Sequence, residues 1–206
     1  YRGPNIELLT TIIKKTTGQS VADIVKEQVI EPVGFQSTEW IRMSQPHTKI
    51  ANIIRDADNP YWTETDVVDG SGMNMYVSAK ELALFGYLHL RGGKWGGKQI
   101  IPRDIIQMAT SVQTPNPRLA IHKNGFLWFV KDTNHTFNQI GNTVPKGSYQ
   151  LLGYTNVALL VIPEENVVAV RMFNRYGSSE GFDYLEDIQS FGDAVYKCSI
   201  RTSTTQ

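Results

Sequence analysis

The first part of the chain carries apolar residues at helical spacing. Pro4 occupies a first helical position, and Ile6, Leu9 and Ile13 follow three or four residues apart. Lys14 and Lys15 fall in the last turn, where cations suit the helix dipole, and Gly18 closes it. Ser20-Val-Ala-Asp23 reads as a capping box that opens a second helix, with Val21, Ile24, Val25 and Ile30 on its apolar side. Pro32 is expected to stop that helix. Residues 36–72 show weak periodicity and many polar positions, which predicts long loops with short elements. Ser78-Ala-Lys-Glu81 is a second capping box, leading a helix through Leu82, Phe85, Leu88 and Leu90 to Gly92-Gly93. A short helix with Ile105, Ile106 and Met108 follows Pro102.

Beyond about residue 123 the apolar residues cluster in short runs of strand length. Residues 125–130, 148–152, 157–162 and 167–173 read as strands. Pro163-Glu-Glu-Asn166 is a turn between two of them, which predicts an antiparallel hairpin. A last helix places Leu185, Ile188, Phe191, Val195 and Cys198 on one face. Helices, then strands, then a helix make an α+β pattern: an antiparallel sheet with flanking helices. Residues 1–122 form the mainly helical and loop region, and 123–206 the sheet strands and C-terminal helix.

Composition narrows the function classes. The 206 residues are 41% hydrophobic and 19% charged, enough to bury a core. Twenty basic residues balance twenty acidic ones, and a nucleic-acid binder ordinarily carries a basic excess. No apolar run has the length of a membrane span. The four histidines show neither HxxxH nor HxH spacing and there is no CxxC, so no metal and no cofactor are expected. The single cysteine, Cys198, rules out an internal disulfide and is expected to be a small buried side chain.

Two segments carry a family resemblance. The first is Tyr1-Arg2-Gly3-Pro4-Asn5, followed by Thr17-Gly18-Gln19-Ser20 and Glu31-Pro32-Val33-Gly34. The second is Gly153-Tyr154-Thr155-Asn156-Val157, then Val161-Ile162-Pro163-Glu164 and Val168-Ala169-Val170-Arg171. Between them lie Gly70-Ser71-Gly72-Met73, Phe85-Gly86, Gly92-Gly93 and Gly97-Lys98. In this order and spacing they resemble the serine β-lactamase and penicillin-binding-protein superfamily, specifically its class C-related members. The Tyr-Arg-x-Pro-Asn variant is most similar to the 6-aminohexanoate-dimer hydrolase branch. The resemblance implies the C-terminal part of such a domain, without the N-terminal strands and the helix that carries the nucleophile. It implies a small amide, ester or peptide-like substrate, a periplasmic or extracellular setting, and self-association through surface that truncation exposes. The residues themselves leave the localisation open.

The chemistry of this family requires Ser-x-x-Lys on a helix, where one turn brings the lysine beside the hydroxyl as proton acceptor. No serine in the chain has Lys three positions later, so the nucleophile is expected upstream of Tyr1. The resemblance makes Tyr1 the catalytic tyrosine, whose phenol relays a proton to the leaving group. Gly3 stands where relatives carry Asn or Ser, removing a side-chain hydrogen bond to substrate or tyrosine. Gly153 aligns with the glycine of the Lys-Thr-Gly motif, and Leu151 and Leu152 replace its lysine and threonine. A cation for a substrate carboxylate is therefore missing. The glycine would let substrate approach the strand, or would serve close packing, and the Tyr154 N–H would be an oxyanion-hole donor. Tyr1 and the Gly153-Tyr154 strand are expected to border one cleft. Two functions remain open: a serine hydrolase working through an acyl-serine, and a degenerate homologue that binds a peptide-like or cell-wall ligand without turnover.

Overall fold

A computed structural model describes residues 3–42, 66–72, 74–113, 123–132, 137–153, 156–173 and 180–203. The chain divides into two compact units, Tyr1–Glu81 with Asn174–Gly177, and Leu82–Phe173 with Ser178–Gln206.

In the first unit, helix α1 runs Gly3–Thr17. Gly18 ends it in the left-handed region, its N–H bonded to the Lys14 carbonyl at 3.0 Å. Ile6, Thr10 and Ile13 are its less exposed residues, whereas Leu8, Leu9 and Ile12 are exposed, so Leu9 departs from its expected inward position. Helix α2, Val21–Val25, opens on the expected capping box: Ser20 Oγ accepts from the Asp23 N–H at 3.1 Å, and Asp23 accepts from the Ser20 N–H at 3.3 Å.

Pro32 does not stop this helix. A π turn, Lys26–Ile30, carries the chain into helix α3, Glu31–Val33, with Pro32 inside it. The Glu31 N–H bonds to the Lys26 carbonyl, five residues back, and this wider rung accommodates a following residue with no N–H to give. The stop is Gly34, in the left-handed conformation at φ 86°. Strand β1, Glu39–Trp40, pairs antiparallel with β2, Met75–Tyr76.

Helix α4, Ala79–Leu90, opens with only half of its expected capping box. Ser78 Oγ accepts from the Glu81 N–H, but the Glu81 carboxylate turns to the chain at 36–38. It takes the Gln36 N–H at 2.5 Å, the Ser37 N–H at 2.8 Å and the Thr38 hydroxyl at 2.8 Å. Burial by itself would raise this carboxyl; the bonds from Thr38, Gln36, Ser37 and Ser78 outweigh it and hold it below its ordinary value.

In the second unit α4 continues from Leu82. A small hairpin of β3, Lys94–Trp95, and β4, Lys98–Gln99, turns on Gly96-Gly97, and helix α5 spans Arg103–Ala109. The main sheet has the order β5 (Phe129–Val130), β6 (Tyr149–Gly153), β7 (Val157–Ile162), β8 (Val167–Arg171), all antiparallel. Helix α6, Tyr184–Ser203, closes the unit. The four expected strand segments thus form one sheet, with the first strand confined to Phe129–Val130. The fold is α+β.

The continuous apolar run of β7 follows from burial on both faces. Leu160 and Ile162 pack with Ile140, Val144 and the α6 residues Phe191, Val195 and Tyr196. Leu159 meets α4 on the opposite face, where a Cβ at Gly86 would lie 2.6 Å from Leu159 Cδ1 and 2.7 Å from Val168 Cγ1. A side chain at Gly86 would force Leu159 and Val168 to shift. Residues 158–162 have zero exposure, and each large apolar side chain there contributes about 1.5–3 kcal/mol. On the α4 face Phe85, His89, Trp128 and Tyr149 make an aromatic cluster, with His89 and Trp128 centroids 4.8 Å apart.

Cys198 is exposed, against expectation. Stepping 3.6 residues from Ile188, which is 1% exposed, the inward stripe runs through Phe191 and Val195 to Ser199, one position past the cysteine. Among the described residues no helix is long and apolar enough to cross a membrane.

Candidate functional site

Strand β6 ends at Gly153, which pairs with Val157 on β7. A Cβ at Gly153 would sit 3.0 Å from Val157 Cβ, so the glycine lets this last pair close. Close packing is therefore a sufficient reason for glycine here, whatever else approaches the strand. Leu151 and Leu152 lie opposite Leu159 and Ala158, and so face opposite sides of the sheet. The register leaves three residues between the paired Gly153 and Val157. The last of them, Asn156, has φ 58°, the left-handed geometry that asparagine tolerates best among residues with a side chain.

Arg171, at the end of β8, reaches this connection. Its Nε donates to the Asn156 carbonyl at 3.4 Å, and its Nη2 meets Asp187 Oδ2, on the first turn of α6, at 2.7 Å. The guanidinium carbon lies 5.6 Å from the Phe173 ring centre and 4.9 Å from that of Phe191. Tyr184 stands close enough to feel both charges: burial raises its phenol, Arg171 works to lower it and Asp187 to raise it.

Of the residues singled out from sequence, Gly3 is the first residue of α1, in the first unit, and Gly153 closes β6, in the second. Tyr1 and Tyr154 lie outside the described residues. Sequence reading named Arg171 and Asn156 only as parts of the family-like segment, with no role assigned to either side chain, and did not single out Lys131. A cation that ends an apolar run, as in Val-Val-Ala-Val-Arg171 and Phe-Val-Lys131, is the signal that was there to find. Lys131 is 1% exposed, and its ammonium donates to the carbonyls of Gly141 and Asn142. Burial pushes it below the ordinary lysine range, with Asp193 and Asp132 acting in the other direction. Asp193 in turn accepts from the Thr143 N–H and hydroxyl, both at 2.7 Å, so these charges tie the 138–144 segment down beside α6. These are structural clasps.

A family model, Beta-lactamase, matches residues 1–190. The chain belongs to the beta-lactamase family. It is a member of the serine β-lactamase and penicillin-binding-protein-like superfamily. An uncharacterized protein of Alkalihalophilus pseudofirmus is 50% identical over 199 residues; the match covers 96% of this chain and 58% of that protein. A β-lactamase from Mycobacterium bovis superposes with TM-score 0.69 at 16% identity, over 97% of this chain and 64% of that one. A Bacillus anthracis protein described as a candidate 6-aminohexanoate-dimer hydrolase gives TM-score 0.68 at 20% identity, over 99% of this chain and 44% of that one. At these identities the structural likeness is one of fold. The chain spans less than two thirds of the length of each of these three proteins.

Proposed function

We propose that the chain is part of a serine hydrolase that cleaves an amide or ester through an acyl-serine intermediate, with the nucleophile upstream of Tyr1. One observation carries this: a family match over residues 1–190 without a Ser-x-x-Lys anywhere in the sequence. In the proposed mechanism the serine attacks the substrate carbonyl and its lysine takes the proton. Tyr1 passes the proton to the leaving group, and water then releases the acyl group. The N–H of Tyr154 and that of the serine stabilise the developing oxyanion, with Gly153 leaving room for substrate beside the strand. Gly3 offers no side-chain hydrogen bond to substrate or tyrosine. With Leu151 and Leu152 in place of a cation and a hydroxyl, the substrate's own carboxylate has no charged partner on this strand, which favours neutral amides and esters over β-lactams.

A second reading is favoured by the same substitutions. Gly3 and Leu151-Leu152 remove polar contacts that turnover would use, as expected of a degenerate homologue that retains a peptide-like or cell-wall ligand.

Assays of the purified 206-residue chain with a chromogenic ester, a β-lactam and a 6-aminohexanoate dimer test the position of the nucleophile. We expect no turnover, because a free phenol titrates near pKa ~10 and is a poor nucleophile at neutral pH. Turnover that disappears in Tyr1→Phe would show that the nucleophile has been misplaced. The coding sequence upstream of Tyr1 separates the two readings: an intact Ser-x-x-Lys supports the hydrolase, a substituted one the binder.

A further inference from the structure

We propose that the groove between α1, the start of α2 and the 69–71 turn binds a short zwitterionic peptide, its ammonium at Glu7 and its carboxylate at Lys14 and Lys15. The groove lies within the first unit and has a volume of about 390 Å³, the size of a small-molecule site. This site needs no residue of the hydrolase reading above.

Charge decides the class of ligand. Among the described residues that line the groove, the carboxylates of Glu7 and Asp69 balance the ammoniums of Lys14 and Lys15. A plain anion or a plain cation meets as much repulsion as attraction there, whereas a ligand with both charges can set each against its opposite. The charges are also sorted by position. Glu7 and Lys14 are seven residues apart on α1, so they share one face about 10 Å apart along the axis, too far to pair directly. Neither they nor Lys15 forms an ion pair among the described residues. The Ser71 hydroxyl and N–H hold the Asp69 carboxyl below its ordinary value and Lys14 adds to this, which places Asp69 at the lysine end. Asp23, tied into the Ser20 cap, feels Lys14 only weakly. Of the groove's own charges, that end keeps the excess of cation.

The hydroxyls fix what lies between the ends. Thr10 and Thr11 both donate to the Glu7 carbonyl, at 2.9 and 2.7 Å. Ser20 donates to Asp23 Oδ2 and Ser71 to Asp69 Oδ1, both at 2.6 Å. All four line the groove with their protons already given, so their oxygens can only accept. A ligand between the charged ends must therefore bring donors, as backbone N–H groups do. Three extended residues span about 10 Å, the distance between the ends.

Titration of the purified 206-residue chain with triglycine, followed by backbone amide NMR, tests the site. Saturable shifts are expected at Lys14, Lys15, Val21 and Ser71, with β7 unmoved. N-acetyl-triglycine lacks the ammonium and triglycinamide lacks the carboxylate; each should bind about fivefold more weakly, the scale of one exposed ion pair. Glu7→Gln should weaken triglycine and leave N-acetyl-triglycine unchanged. Lys14→Gln combined with Lys15→Gln should weaken triglycine and leave triglycinamide unchanged. All three side chains are exposed, so the fold should stand, and unshifted amides in β7 check it. Absence of saturable shifts in the groove, equal binding of the three peptides, or full triglycine affinity in either variant overturns the proposal. Binding is read without turnover, so its failure and the failure of the hydrolase reading in the ester assay are told apart.

Discussion

The two units are stabilised by different physics. Among the described residues, the buried apolar side chains of the first unit are Ile30, Val33 and Ile41, none of them fully buried, while those of the second run from Leu82 to Ile188 and include the fully buried Ala158–Ile162 of β7. The first unit is organised by polar clasps. Glu81 gathers three donors from residues 36–38, and Asn74 Nδ2 donates to the Ile41 and Val67 carbonyls, both at 2.7 Å. The second is organised by layers, α4 and α6 on opposite faces of one sheet. A clasp contributes through the cost of leaving a buried polar group unpaired, and a layer through the area it removes from water. The first should therefore respond to loss of a single bonding group, and the second to loss of volume.

The largest effect should come from breaking a layer. Leu160→Ala removes a side chain of zero exposure between the sheet and α6 and should cost about 3–4 kcal/mol. Denaturant unfolding followed by hydrogen exchange should show the loss across β7, β8 and α6. A cost under about 1 kcal/mol would mean that the layer is not the main support of this unit.

The next effect sharpens the contrast by pH. Burial lowers His89 to about 4, with the bond to the Phe85 carbonyl opposing it. The unfolded chain binds this proton near pH 6.5 and the folded chain does not until about pH 4. Across that window the unfolded state therefore carries more protons, and stability falls as the pH falls. The full span amounts to at most about 3 kcal/mol. His89→Gln should flatten the acid limb of the stability profile of the second unit; an unchanged slope would assign the acid sensitivity elsewhere.

The smallest effect tests a clasp. Glu81→Gln keeps the shape and one acceptor but removes the charge, and should destabilise by about 2 kcal/mol. Because Glu81 is held ionised below its ordinary value, the wild-type advantage is present above the unfolded carboxylate pKa and is lost as pH falls through the folded one. Faster amide exchange at Gln36 and Ser37, with β7 unaffected, is the expected signature. Equal acceleration in both units would show that the clasp supports more than its own neighbourhood.

Much of the fold was legible in the sequence because local periodicity and local chemistry agree with the final structure. The Ser20-Asp23 capping box, the antiparallel order of β6, β7 and β8, and the α6 stripe through Ile188 and Val195 all follow from spacing. The candidate site is a proposal that came only through the family pattern: Tyr1, Gly3, Gly153 and Tyr154 show no chemistry by composition or period, since a tyrosine or glycine looks alike in any role.

What the sequence determined by itself is the α+β order, the capping signals, the absence of Ser-x-x-Lys and the family. Tertiary structure alone decided where the polar groups went. Glu81 left its own helix cap for residues 36–38, Pro32 was carried through a helix by a π turn, and Cys198 fell one position off the buried stripe. Arg171 joined Asp187, sixteen positions later, to the carbonyl of Asn156, fifteen positions earlier. For Glu81 and Arg171 the physical reason is common. Period and capping are properties of neighbours along the chain, whereas a buried charge or a missing donor is resolved by whichever distant group packing brings within about 3 Å.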